Sequence, residues 1–130
     1  MTPLFKKALR SGESARKLLA DEDYDGACDR SYYAMFNAAR ALLILENTIT
    51  LGETKSHASI LRMFSETFVR PGLAPREFGR NFSTVQALRA KADYAAVAAS
   101  REDAEAAVAS MTAMLHFASD YFKRKGETAR

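Results

Sequence analysis

Apolar residues recur every three or four positions along most of the chain, which is the spacing that places them on one face of an α-helix. The clearest stretch is Ala27–Glu46, ACDRSYYAMFNAARALLILE, which contains no Gly or Pro. Its apolar positions reach round more than one flank, so this helix is expected to contact several neighbours. No segment alternates apolar and polar residues for long enough to form a strand. The pattern therefore predicts an all-α fold built around this central helix.

Start and stop signals divide the chain into five predicted helices. Thr2 and Pro3 suit a helix start, and Ser100 with Asp103 resembles a capping box in which Asp replaces the usual Glu. Pro71-Gly72 and Gly126 suit helix ends. The predicted helices are Pro3–Ala20, Ala27–Glu46 with the acidic turn 21–23 before it, Ser56–Val69, Pro75 to about Tyr94, and Ser100–Lys125. The prediction is an up-and-down, four-helix-bundle-like domain over residues 1–126, with 127–130 as a disordered tail.

Composition fits one soluble globular domain, with 130 residues, 48% apolar and 27% charged. No apolar run approaches the ~20 residues that span a bilayer, and the N-terminus lacks the pattern of a signal peptide, so we expect a cytoplasmic protein that does not contact membranes. The single cysteine, Cys28, lies on the apolar face of the central helix and is expected to be a core residue. His57 and His116 are far apart in sequence, so no metal site and no cofactor are predicted. His116 is expected at the boundary of the core.

The net charge of +3 is unevenly distributed. The segment from Arg62 to Lys91 contains six basic and two acidic residues, a net charge of +4. Such a concentration is typical of a phosphate-facing surface, but a solvated charged face explains it equally well at this point.

Polar residues also follow the apolar stripe of the central helix, at positions i, i+3, i+7 and i+10. They are Arg30, Tyr33, Asn37 and Arg40. Such groups need partners or water, because unpaired burial is costly. In the fourth helix, Arg89 is one turn before Asp93 and can form an ion pair along the helix. Alternatively, Asp93 and Tyr94 orient Arg89 toward a phosphate, which a guanidinium can bind bidentately.

Three blocks of the sequence, in this order, are RSYYAMFNAARALL, KSHASILRMF and LRAKADY. Together they resemble the HEPN domain, in particular its small single-domain bacterial and archaeal branch with the R-x-Y-Y-A-M-F and R-x-K-A-D-Y segments. The similarity extends from about Ser14 to Phe122. It implies a four-to-five-helix bundle that forms homodimers. Many HEPN proteins are metal-independent RNases, and many of those are toxins paired with a nucleotidyltransferase antitoxin.

The resemblance also implies a site, in which four to six residues separate an arginine from a histidine that follows it. Arg89 matches the arginine, but Tyr94, Ala95 and Ala96 occupy the positions of the histidine. An unperturbed tyrosine is only ~0.1% ionised at pH 7, and loss of a general acid or base costs ~10²–10⁴ in rate. The candidate catalytic residues are Arg89, Tyr94 and His57, the last if it folds near Arg89. The candidate ligand-binding residues are Arg30, Tyr33, Asn37 (where the branch commonly has His), Arg40, Lys55, Lys91 and Asp93.

Three functions remain open from the sequence. The first is binding of RNA or nucleotide phosphates by a homodimer that works with a nucleotidyltransferase partner. The second is a weakly active RNase toxin, and the family pattern would also make Tyr94 a target of nucleotidyl transfer. The third is an interaction module in which Arg30, Asn37, Arg89 and Asp93 form a polar network that fixes the register of the helices.

Overall fold

The computed structural model describes residues 2–53, 55–94 and 97–126, with only the backbone at 92–94. These parts form five α-helices and contain no strand, which confirms the all-α prediction. The predicted tail 127–130 lies outside the described residues. The helices are α1 (Pro3–Ala20), α2 (Tyr24–Leu45), α3 (His57–Phe64), α4 (Glu77–Tyr94) and α5 (Arg101–Arg124).

Side-chain caps start four of these helices. The Thr2 hydroxyl accepts a hydrogen bond from Phe5 N at 3.2 Å, and the Asp23 carboxylate accepts one from Gly26 N at 2.9 Å. Ser56 caps α3 in the same way. At the start of α5, Ser100 accepts from Asp103 N and the Asp103 carboxylate accepts from Ser100 N, which confirms the predicted capping box. Each cap satisfies a backbone N–H that the first helical turn leaves unpaired.

The third and fourth predicted helices differ from the observed ones. The third is not α-helical to its end, because Ser65–Val69 forms a π-helical turn in which Arg70 N donates to Ser65 O at 2.8 Å. This wider turn leaves the rings of Phe64 and Phe68 stacked at 5.4 Å, both fully buried. The fourth helix begins at Glu77, because Pro75 lies in the preceding turn and its carbonyl accepts from Phe78 N.

The central position of α2 is the main feature of the bundle. It packs against α1, α3, α4 and α5, as predicted from its apolar flanks. Twelve of its residues are buried, including Cys28, Tyr32, Met35 and Leu42. Residues that α2 presents between its neighbours are therefore held by several helices at once.

Gly12 marks the closest approach of α1 to α5. A Cβ atom there would lie 2.8 Å from Leu115 Cδ1 and 3.0 Å from Met111 Sδ. His116, the next residue on α5, is exposed, so its predicted position at the core boundary was wrong. His116 directly follows the buried Leu115, and the rotation of ~100° per residue along a helix points its side chain toward solvent.

Candidate functional site

Arg89 of α4 lies against α2. Its Nη2 donates a hydrogen bond to the hydroxyl of Tyr33 at 2.9 Å, and its Nε lies 3.5 Å from Oδ1 of Asp29. The Arg89 side chain is 22% exposed. The guanidinium is therefore anchored by α2, in a side chain that is partly exposed.

Two tyrosine rings and a second arginine complete this group. The Arg89 guanidinium carbon is 5.1 Å from the centroid of Tyr33 and 5.6 Å from that of Tyr32. The guanidinium of Arg30 lies 5.2 Å from the same Tyr33 ring, and its Nη2 is 3.1 Å from Asp29 Oδ2. These five residues are called the Arg89 cluster below. One carboxylate faces two guanidinium groups, so the cluster carries a net positive charge.

His57, the first residue of α3, lies beside the Arg89 cluster. Its Nδ1 is 2.5 Å from the hydroxyl oxygen of Tyr32, and its ring stacks on Phe36 with centroids 4.5 Å apart. Burial, and then the positive charge of Arg89, lower the pKa of the His57 imidazole below its usual value. His57 is therefore neutral at neutral pH and able to accept a proton.

Tyr32 is fully buried, and burial raises the pKa of its phenol although Arg89 opposes the shift. The phenol therefore keeps its proton and can donate it to Nδ1 of His57. A hydroxyl can also accept a hydrogen bond, so both neutral tautomers of His57 preserve this contact.

His57 also lines a cleft of about 250 Å³. Its lining consists of Phe36, Arg40, Glu53, Lys55 and His57. The Lys55 ammonium is 3.2 Å from Oε2 of Glu53. This basic cleft, as we name it, is therefore next to the Arg89 cluster, because His57 lines the cleft and contacts Tyr32 and Tyr33 of the cluster.

Most of the predicted site residues come together in these two places. Arg30, Tyr33 and Arg89 are in direct contact, and His57 packs edge-on against Tyr33 with centroids 6.3 Å apart. The sequence analysis made His57 a catalytic candidate if it folds near Arg89, and the structure does place His57 near Arg89.

Other predicted residues are less closely tied to the site. Asn37 is half-buried on α2, one turn after Tyr33. Lys91 is exposed and only two residues after Arg89, so it projects from a different face of α4. The side chains of Asp93 and Tyr94 lie outside the described residues, so their roles remain predictions.

Sequence reasoning missed Asp29 and the hydroxyl of Tyr32. Tyr32 was correctly assigned to the apolar face, but a buried tyrosine hydroxyl usually has a hydrogen-bond partner. That rule was the available signal that a polar group would lie near Tyr32. Asp29 precedes Arg30 and is one turn before Tyr33, which places it beside the predicted polar line.

No group of three or more His, Cys, Asp and Glu side chains among the described residues is placed to hold a metal ion. No described helix combines the length and apolar character needed to cross a membrane.

Comparison with protein families gives a match to the HEPN domain over residues 1–121. The chain belongs to the HEPN family. The resemblance inferred from the three sequence blocks is thereby confirmed, and the helical bundle described above agrees with the all-helical HEPN domain.

Relatives of this HEPN chain occur in archaea and bacteria. A Methanocaldococcus jannaschii protein named "Putative toxin MJ0605" is 36% identical over 105 residues, which cover 81% of this chain and 75% of that protein. "UPF0332 protein glr0978" of Gloeobacter violaceus is 33% identical over 128 residues, covering 93% and 98%. A second M. jannaschii protein, "Putative toxin MJ0142", is 32% identical over 103 residues, covering 78% and 67%.

Proposed function

We propose that this HEPN domain is a toxin-type protein that binds RNA through phosphates at the Arg89 cluster. The observation that carries the proposal is the partly exposed side chain of Arg89, whose guanidinium is anchored on Tyr33 beside a second guanidinium. Arginine binds phosphate with paired N–H donors, and it also stacks on bases. The names of the two M. jannaschii relatives support the toxin-type role.

RNA is the favoured ligand because positive charge and aromatic rings occur together. Single-stranded RNA is bound by grooves that combine cations for the backbone with planar groups for the bases. The Arg89 cluster has this composition, with two arginines against the ring of Tyr33. A site for an anion without a base would not need the rings.

Binding of a dye-labelled hexauridylate tests this proposal by fluorescence anisotropy from about 50 to about 200 mM KCl. Wild-type affinity should fall steeply with salt, because each neutralised phosphate of a single strand contributes a slope of ~0.7 in log K against log salt. Arg89→Ala should weaken binding at least ~10-fold. Arg124→Ala is the matched control, because Arg124 is an exposed arginine over another tyrosine, Tyr121. Equal binding by wild type and Arg89→Ala, or none by either, would remove the proposal.

A second candidate, a metal-independent RNase, is favoured by the position of His57. A neutral imidazole beside the Arg89 guanidinium can take the proton of a 2′-hydroxyl as its oxygen bonds to phosphorus and the P–O5′ bond breaks. The leaving 5′-oxygen takes a proton from water, and Arg89 stabilises the charge on the phosphate. His57→Ala should then lower RNA cleavage by at least ~100-fold, and Tyr94→Phe tests the predicted role of Tyr94 in the same way. Cleavage at the wild-type rate by both variants, or no cleavage by any, would exclude the enzyme.

The partners are proposed as a second copy of the chain and a nucleotidyltransferase. The family resemblance supports both. Light scattering of the purified protein should give twice the monomer mass of 14.4 kDa. Co-expression with a nucleotidyltransferase encoded next to the gene should yield a stable complex. An increase in the intact mass of this chain, lost in Tyr94→Phe, would identify Tyr94 as the modified residue.

A further inference from the structure

The basic cleft carries positive charge that the Arg89 cluster does not use. Arg40 of α2 and Lys55, which precedes α3, supply two cations, and Glu53 supplies one carboxylate. Backbone and side-chain hydrogen bonds hold that carboxylate, since Oε1 of Glu53 accepts from Thr50 N at 2.7 Å and Oε2 faces the Lys55 ammonium. The cleft therefore keeps a net positive charge when Glu53 is fully ionised.

The contacts of Glu53 also affect which kind of ligand the cleft can bind. The hydrogen bond from Thr50 N, and then that from Lys55, lower the pKa of the Glu53 carboxyl. The carboxylate therefore stays charged and pairs with Lys55. Arg40 and the remaining N–H groups of Lys55 can donate hydrogen bonds to a ligand. His57 is the first residue of α3, so the cleft also lies at the positive end of that helix dipole. The N–H donors of Arg40 and Lys55 and the N-terminal end of α3 favour an anion.

The basic cleft and the Arg89 cluster use residues from different turns of α2. Arg40 follows Tyr33 by seven residues of α2, which is a rise of ~10 Å along the helix axis. The volume of the basic cleft, about 250 Å³, is below the ~300–1,000 Å³ of clefts that enclose drug-sized ligands. One phosphate with part of its nucleotide matches this volume.

We propose that the basic cleft is a second phosphate site, in which Arg40 and Lys55 bind a phosphate that flanks the one at Arg89 on the same RNA strand. The phosphate site itself is inferred from the residues of the cleft, whereas its connection to RNA rests on the proposed function. His57, which lines the cleft and contacts two tyrosines of the Arg89 cluster, would then lie between two successive phosphates of the strand.

Titration with inorganic phosphate tests the site without RNA. Histidine NMR signals are a suitable readout because the protein has only two histidines. The ring ¹H–¹³C cross-peaks of His57 and His116 are followed by NMR during titration with phosphate, with chloride at equal ionic strength as the reference. The His57 peak should shift and saturate with phosphate only, while the His116 peak stays in place. Arg40→Gln, chosen because it keeps a long polar side chain, and Lys55→Ala should each abolish saturation. Arg124→Ala should preserve it. Equal shifts of both histidines, or saturation that persists in the Arg40→Gln and Lys55→Ala proteins, would overturn the site.

Hexauridylate binding then tests the connection to RNA. Arg40→Gln and Lys55→Ala should each lower the slope of log K against log salt by ~0.7, as expected for one lost phosphate contact on a single strand. Arg89→Ala should lower it independently. If only Arg89→Ala changes the slope, the second RNA contact is refuted while the proposed function stands. If wild type binds no RNA but phosphate still saturates the His57 shift, the proposed function fails and the anion site stands.

Discussion

The hydroxyl oxygen of Tyr32 lies 2.5 Å from Nδ1 of His57, although 25 positions separate the two residues. The contact fixes the first residue of α3 to the middle of α2. It thereby places an imidazole between the Arg89 cluster and the basic cleft.

Replacing Tyr32 with Phe should destabilise the protein, because it leaves Nδ1 of a partly buried imidazole without its partner. The expected cost is ~1–2 kcal/mol, equivalent to a fall of roughly 3–10 °C in Tm. A double-mutant cycle with His57→Ala isolates the pair, and thermal melts measure it. Additive effects of the two substitutions would show that the contact contributes nothing.

Stability should depend on pH through His57. The pKa of His57 is lowered in the folded protein, so below the unfolded value of ~6.5 the unfolded chain binds more protons and stability decreases. The Tm of wild type should fall as the pH is lowered from about 7 to about 5, and the Tm of His57→Gln should fall less over this range. The control His116→Gln removes an exposed histidine of α5 and should keep the wild-type response. The same loss of Tm in wild type and His57→Gln would contradict the prediction.

Arg89→Ala should lower stability only moderately, because Asp29 keeps its contact with Arg30. We expect ~1–2 kcal/mol, between the ~0–1 kcal/mol of exposed ion pairs and the ~3–5 kcal/mol of broken buried ones. Urea unfolding of wild type, Arg89→Ala and Arg89→Lys measures this. A loss of ~4 kcal/mol without any change in RNA binding would favour the interaction module with a polar network over a phosphate site.

Gly12→Val should destabilise the contact of α1 with α5. The new side chain would meet Leu115 and Met111, whose atoms already lie within about 3 Å of an added Cβ. Overpacking of this kind typically costs ~1–3 kcal/mol. Ser14→Val is the control, since Ser14 is exposed on the same helix and the substitution changes mainly helix propensity. Equal melting temperatures for the two variants would show that α1 and α5 can separate at no cost.

Cys28 should be unreactive while the protein is folded. It is fully buried, and burial, with smaller contributions from Asp103 and Asp25, raises the pKa of its thiol to about 11. Since the thiolate is the reactive form, a thiol reagent should label Cys28 slowly in buffer and rapidly in denaturant. Fast labelling of the native protein would mean that α2 opens locally.

Local signals predicted most of the fold. The caps at Thr2, Asp23, Ser56 and Ser100 act within three residues of their partners, so the sequence shows them directly. The π-helical turn Ser65–Val69 was missed, because no change in apolar spacing distinguishes it from the preceding helix. The error at His116 has a similar origin, since one position on a helix decides between core and solvent.

For the candidate site, the sequence indicated which side chains to consider but not how they pair. Asp93 was the expected partner of Arg89 because it is one turn away on the same helix. The structure also places Asp29 and Tyr33 of α2 against Arg89, while the pairing with Asp93, whose side chain lies outside the described residues, stays a prediction. A charge can be paired within its own helix or across helices, and only the packing of the helices determines which partner is near.

The amino-acid order alone determined the helices, the central role of α2 and the residue types that can bind phosphate, because helical periodicity and capping act over a few neighbouring residues. Tertiary structure decided that Tyr33 and Arg89, 56 positions apart, share a hydrogen bond, and that His57 stands between two groups of cations. Such contacts depend on how helices cross, and crossing is set by the shape of whole packed surfaces.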